Sequence, residues 1–455
     1  MLKMKQRHIL LLAAMAATAT LSAESQKFAE DYHSTREDFR DSLMHNTRII
    51  YMGSHDADAP TTAAGVINDP DSTAMNLMLR YYYDQFHHTQ SPDAPYFMFL
   101  SRDDRLAMGI GGCVRMRGYY DWGGAVSTSA FAPITIPVPA NPENMRKIGA
   151  TPAGTTLYFK VIGSQRIVGS YGLYIECNFN GYDGVGFKLK KAYATFDDWT
   201  VGYAPSTYSD PAALPPTVDA QGPSNKIAPV NVLLRWMPRV HRNWVFAVSA
   251  EMPSTTERID NVTTGKVSNW LPDGAAFVQY EWGRTSHVRL AAIARSLNYR
   301  DLIAAKNHTL CGYGLLLSTV MHPMPAMTFY GTLNYGRGNE GVGTDLLFGR
   351  YDLLNDPDRP GRMFMPRSYG FCVGLQYDIT PRVFASVSFS KSALLAGRFK
   401  QPDEYNYGLS GAVNLFWNPR PRFQAAIEYD WGRRKNFSGD ARNAQRVGAL
   451  VQFSF

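Results

Sequence analysis

The sequence predicts an all-β fold: a transmembrane antiparallel β-barrel of about sixteen strands behind a short helical or irregular segment. Three observations predict it. From about Leu106 onward, apolar residues recur at every second position in short runs. The links between those runs alternate long and short. The chain closes on the strand VGALVQFSF, which carries Val447, Ala449, Val451, Phe453 and Phe455 on one face and no polar tail.

Residues 1–23 read as a cleaved signal peptide. Lys3, Lys5 and Arg7 precede the apolar run Ile9–Leu21, and Leu21-Ser22-Ala23 offers small residues for cleavage. After Ala23 no stretch of 18 apolar residues follows, so no helix is expected to cross a membrane. Residues 24–105 read as a periplasmic segment of different character. ESQKFAEDYHSTREDFRDSLMHN is charged and helix-prone. DSTAMNLMLRYYYDQFHH follows Pro70 with Asp71 or Ser72 as a helix cap. His87 and His88 are adjacent and would not share a helix face, which argues against a metal there.

The barrel is expected over 106–455, with strands at 106–121, 156–163, 170–180, 185–196, 199–204, 228–237, 243–252, 275–283, 287–297, 308–320, 326–336, 368–378, 382–391, 404–417, 422–432 and 445–455. Links after odd strands are mostly long, as at 122–155, 205–227, 253–274 and 337–367. Links after even strands are short, such as DD at 197–198 and TPR at 380–382. A sandwich has no reason to sort loops by parity, whereas an outer-membrane barrel has short periplasmic turns and longer external loops. Within hydrocarbon every backbone group must be paired, so the sheet must close on itself. Trp122, Trp282 and Trp431, each within a Tyr-acid-Trp-Gly stretch at a strand end, suit interfacial aromatic girdles. Phe455 then sits at the membrane boundary, and such an ending resembles the signal read by outer-membrane assembly machinery.

The formal charge is +7, with basic residues scattered rather than clustered, which does not point to nucleic acid. The four cysteines are widely spaced and read as wall residues. The GRGNEGVG stretch at 336–343 lacks the context of a nucleotide site. No catalytic constellation stands out, so neither an enzyme, a cofactor nor a metal is expected. The alternation turns Arg115, Arg117, Lys160, Lys188, Lys190, Arg235, Arg289, Arg295 and Arg446 inward, together with Glu176, Glu251, Glu281, Glu428 and Asp430. Cations dominate the first six strands, and a basic wall favours anions. One misfit stands: Lys191 falls on the outward side with Phe187, Leu189 and Tyr193. Either the register slips there or a neighbouring subunit covers it.

The link 205–227, PSTYSDPAALPPTVDAQGPSNKI, holds five prolines and cannot be strand throughout. Its Asp210-Pro211, Ala213-Leu214-Pro215, Asp219 and Gly222-Pro223, with Ala192-Tyr193 upstream, resemble the motif of trimeric DcaP-like porins. MGIGGCVRMRGYYDW resembles that family's first strand. The resemblance implies a sixteen-stranded homotrimer whose third loop, carrying Asp210 and Asp219, folds inward as the constriction. It also implies uptake of small anions such as dicarboxylates, with Lys188 and Lys190 where the family places basic wall residues. The expectation is therefore a passive outer-membrane channel set in the lipid bilayer. Two alternatives stay open: a barrel enzyme of lipase or protease type, and a structural or adhesive barrel plugged by 24–105.

Overall fold

The computed structural model describes residues 48–52, 97–101, 105–124, 126, 129–165, 169–179, 186–241, 243–283, 286–395, 397, 401–420 and 422–455. The signal peptide and the helices expected at 24–46 and 71–88 lie outside the described residues.

Sixteen long strands form one closed sheet. They are β1 (Leu106–Trp122), β2 (Thr156–Gln165), β3 (Gly169–Phe179), β4 (Phe187–Phe196), β5 (Trp199–Pro205), β6 (Val230–Trp236), β7 (Trp244–Glu251) and β8 (Asp273–Trp282). They continue as β9 (Ser286–Asp301), β10 (Lys306–Met324), β11 (Met327–Arg337), β12 (Arg367–Thr380), β13 (Val383–Leu395), β14 (Tyr405–Arg420), β15 (Phe423–Asn436) and β16 (Ala441–Ser454). Each predicted strand is present and in order. Every strand pairs antiparallel with its neighbours in sequence, and β16 returns to β1 from Gln445 opposite Trp122 to Ser454 opposite Cys113. Closure leaves no unpaired edge, which is the condition for a sheet in hydrocarbon.

The two halves differ in height. Strands β2 to β8 have between 7 and 11 residues, whereas β9 to β16 have between 11 and 19. Outward side chains are apolar all round: Val114 and Ile427 are each 58% exposed, and Val232 and Val413 each 53%. Such exposure makes sense only against lipid. Trp199, Trp236, Trp244 and Trp282 mark the short-turn end, while Trp122 and Trp431 mark the long-loop end. By loop length these are the periplasmic and external girdles.

The seam explains the Gly111-Gly112 pair. The first strand extends below the last, and the terminal Phe455 exchanges backbone hydrogen bonds with Gly112 at 2.9 and 3.0 Å. A Cβ at Gly112 would strike the Thr156 carbonyl, and one at Gly111 would meet the Tyr158 ring and the Phe455 carbonyl. Below that point the same edge of β1 pairs with the strand Phe97–Ser101, against which Arg48–Met52 runs parallel. These two strands are what is described between 24 and 104.

The misfit at Lys191 is a register slip. Glu176 on β3 faces Lys191, yet Cys177 faces Leu189, so one extra residue, Lys190, bulges into β4. A bulge of this kind reverses the side-chain alternation beyond it. Phe187 and Leu189 therefore face lipid, while Lys191 and Tyr193 turn inward, which corrects the outward placement that strict alternation gives them.

Candidate functional site

The link 206–229 turns into the barrel. Its prolines bar it from extending the sheet, so its backbone groups must find partners elsewhere. They find them on the inner wall. Ser206 N donates to Pro229 O at 3.0 Å and closes the neck. Thr207 N donates to Glu251 at 2.8 Å. Asp210 meets His287 Nε2 at 2.8 Å and accepts from Ser318 Oγ at 2.5 Å, with Arg289 Nη1 at 3.7 Å. Burial alone would raise the Asp210 carboxyl; Arg289 and His287 outweigh it and hold the group well below the usual carboxylate range.

Further along, Ala212 and Ala213 pack on Val320 and Tyr330. Ser386 Oγ donates to Pro216 O at 2.6 Å. The backbone N–H groups of Val218 and Asp219 donate to the two Glu428 oxygens at 2.9 and 2.6 Å. The Val218 side chain packs on Phe416, Ala426 and Leu450. The Asp219 carboxylate takes Arg446 Nη1 at 3.1 Å, Phe131 N at 3.1 Å and Arg117 Nη1 at 3.6 Å. On the return, Ser224 N reaches the Ser390 and Ser410 hydroxyls at 2.9 and 3.0 Å. The loop thus lies along the inside of the tall wall, from β9 round to β16 and β1.

The inward cations fall into two groups. Arg117, Arg235, Arg289, Arg295 and Arg446 are at most 2% exposed and act as latches. Arg235 Nη1 donates to Pro205 O at 3.1 Å. Arg295 pairs with Asp273 at 3.2 Å and with Asp352 at 2.9 Å. Arg289 donates to Gln279 at 2.7 Å, and Gln279 in turn donates to Glu281 at 2.7 Å. Arg446 makes a bidentate pair with Asp121 at 2.5 and 2.9 Å.

The second group stays accessible: Arg115, Lys160, Lys188, Lys190 and Lys191 on β1, β2 and β4, and Lys226 on the loop. Lys188 is exposed, and the Lys190 side chain is 41% exposed. Glu176 accepts from Lys190 at 2.5 Å, from Lys191 at 3.0 Å and from the Tyr174 hydroxyl at 3.0 Å. One carboxylate therefore stands against two ammonium groups. Lys226 Nζ donates to Ala220 O at 3.2 Å. Lys226 keeps part of its surface open, yet enclosure by the surrounding wall, then the charge of Lys190, pushes its pKa down, with Arg115 acting the same way and Asp219 opposing.

Asp219, Glu428 and Asp430 bring carboxylate oxygens within 4.8 Å of one another. The loop N–H groups and Arg446 take that cluster as an anchor, so it reads as structure rather than as a cation site. Sequence reasoning missed Lys226, because only the path of the loop brings it to the lumen. It also missed the inward Lys191, which depends on the bulge.

No protein-family profile and no curated protein matches the chain. Among solved structures it is similar to the outer membrane channel DcaP of Acinetobacter baumannii, with a TM-score of 0.66 and 18% identity, over 78% of this chain and 99% of that one. The fold is that of DcaP. An anion-selective porin from Comamonas acidovorans also matches, with a TM-score of 0.49 and 9% identity over 77% of this chain and 100% of that one. The DcaP resemblance read from the first strand and the third loop is thus met at the level of fold. A closed barrel with a lipid-facing apolar exterior and two aromatic girdles resides in the outer membrane.

Proposed function

We propose that the protein is a passive channel of the outer membrane for small hydrophilic solutes, with a preference for anions such as dicarboxylates. The loop 206–229 narrows the lumen from the tall wall, and solute passes between it and the basic face of β1, β2 and β4. The observation that carries this reading is the division of the cations. Most inward arginines are buried in ion pairs and backbone contacts, whereas Lys188, Lys190 and Lys226 stay accessible, with Lys190 and Lys191 sharing the single carboxylate of Glu176. Fixed positive charge in a low-dielectric cleft concentrates anions. Cations on both the loop and the wall suit a solute with two carboxylates.

We further propose a homotrimer. Strands β5 and β6 have 7 residues each, fewer than the 9–11 or so a tilted strand needs to cross the hydrocarbon. Packing this low wall against other copies removes it from lipid. Planar-bilayer recording tests both points. Conductance in steps of three, with a chloride-favouring reversal potential in a KCl gradient, is the expected result. A potassium-favouring potential would overturn the anion preference, and absence of any conductance would overturn the channel.

A further inference from the structure

The tall wall gathers most of its outward-facing charge near the external ends of its strands, with Arg420 at the opposite end of β14. Strict alternation along β11, β12, β13 and β15 turns Arg337, Arg367, Lys391, Arg433 and Lys435 toward the outside, all near the external ends of their strands. No aspartate or glutamate faces outward on β11 to β15: Asp378, Glu428 and Asp430 all lie on the inward side. Among the described residues none of the five cations forms an ion pair.

Their height is set by the register. Trp431 of the external girdle shares its row with Gly411, and Gly411 in turn with Phe389. The next outward row holds Arg433, Leu409 and Lys391, about 7 Å further out. The row above that holds Lys435, Tyr407 and Ala393. The Lys391 and Lys435 ammonium groups both lie near the Tyr407 ring, at 4.9 and 5.8 Å from its centre, and Lys391 also lies 5.1 Å from that of Tyr369. Arg337 and Arg367 stand directly opposite each other on β11 and β12. Like charges placed so repel. Lys391 and Lys435 rest on tyrosine rings, Arg337 donates to Met365 O at 3.2 Å and Asp356 lines the cleft beside Arg337 and Arg367, yet no carboxylate on the outward face of these strands pairs with any of the five.

We propose that this patch binds the phosphates of the phosphorylated glucosamine lipid of the outer leaflet. The girdle fixes the hydrocarbon boundary, and the cations begin one row outside it, where lipid phosphates lie. Basic side chains at that depth attract anionic headgroups, and two arginines in register can grip a phosphate with paired N–H donors. The acyl chains would then lie along the apolar rows below, past Val413, Ile427 and Phe389. The lipid-facing side is thereby assigned to the tall wall.

The test uses the full chain purified in a non-ionic detergent. Binding of bisphosphorylated lipid A is compared between the wild type and a K391Q/R433Q/K435Q variant by native mass spectrometry, with dephosphorylated lipid A and phosphatidylglycerol as the other probes. The β-sheet circular dichroism of the variant must equal that of the wild type; if it does not, the milder K391Q/K435Q pair replaces the triple. Expected is retention of bisphosphorylated lipid A by the wild type, weakened at least about tenfold in the variant, with little retention of the dephosphorylated form. Equal binding by both proteins would overturn the proposal. So would phosphatidylglycerol binding as tightly as lipid A, or a variant that loses its oligomeric state while keeping the lipid.

Discussion

Asp219, on the inward loop, stands 3.1 Å from Arg446 on the last strand and 3.6 Å from Arg117 on the first. One carboxylate thus holds the loop across the seam where the barrel closes. The pairing is buried on every side, with Asp219 4% exposed and Arg446 1%. Removing Asp219 would leave Arg446 its bidentate Asp121 partner but take from Arg117 the carboxylate it faces.

For Asp219→Ala, a loss of about 3 kcal/mol of stability is expected, the low end of the range for breaking a buried ion pair, because Arg446 keeps Asp121 and the crowding with Glu428 and Asp430 is relieved. The loop also loses one of its far anchors, so single-channel current should rise and flicker. Denaturation in detergent and bilayer recording check the two effects separately. A variant with wild-type conductance and noise would show that the loop keeps its path on the Glu428 and Ser390 contacts alone.

Charge at the lumen surface should set selectivity, whereas charge in the latches should set folding. Glu176→Gln releases Lys190 and Lys191 from their shared carboxylate and should raise the chloride-to-potassium permeability ratio. Lys188→Gln with Lys226→Gln should lower it. A shift of about threefold per charge is expected, corresponding to somewhat less than the ~1 kcal/mol of a unit charge acting at close range through water. Arg235→Gln and Arg295→Gln should instead reduce folded yield. Reversal potentials and the heat-shifted mobility of the folded barrel separate the two classes.

The seam gives a cleaner steric test. Gly112→Ala places a methyl group against the Thr156 carbonyl, at the residue whose backbone pairs with Phe455. Gly118, on the same strand and same face, has nothing within 4 Å of an added Cβ. Gly112→Ala should therefore cut the yield of closed barrel severalfold while Gly118→Ala leaves it unchanged. Cell-envelope fractionation followed by unheated gel electrophoresis measures this.

A buried acid outside the wall makes stability depend on pH. Asp345 lies on a six-residue helix, Thr344–Gly349, in the link after β11, and accepts from the Tyr405 hydroxyl at 3.0 Å. Burial pushes its carboxyl up to about 8, the Tyr405 bond opposing only in part. In the fold the group keeps its proton over a range where the unfolded chain has lost it. Its contribution is therefore full below the ordinary aspartate pKa and is lost as pH rises from there toward 8. Asp345→Asn keeps an acceptor for Tyr405 and removes the titration. Melting temperatures taken between pH 5 and pH 8.5 should fall with pH in the wild type and fall less in the variant.

The order of the sixteen strands, the parity of loop lengths, the two girdles and the closing role of the last strand were legible in the sequence, because each rests on local alternation and on the demand that a sheet in lipid has no edge. Alternation also found the inward arginines. It could not distinguish a latch from a lumen charge, since Arg235 and Lys188 occupy equivalent positions in the pattern and differ only in what covers them. The bulge at Lys190 was invisible for a related reason: one extra residue reverses a face without changing composition.

The path of the loop 206–229 was decided by tertiary structure alone. Its prolines forbid a strand, but they do not say whether the segment points to water or to the lumen. That choice rests on contacts from residues far along the chain, Glu428, Ser390, His287 and Arg446 among them, which satisfy its backbone only once the barrel has closed.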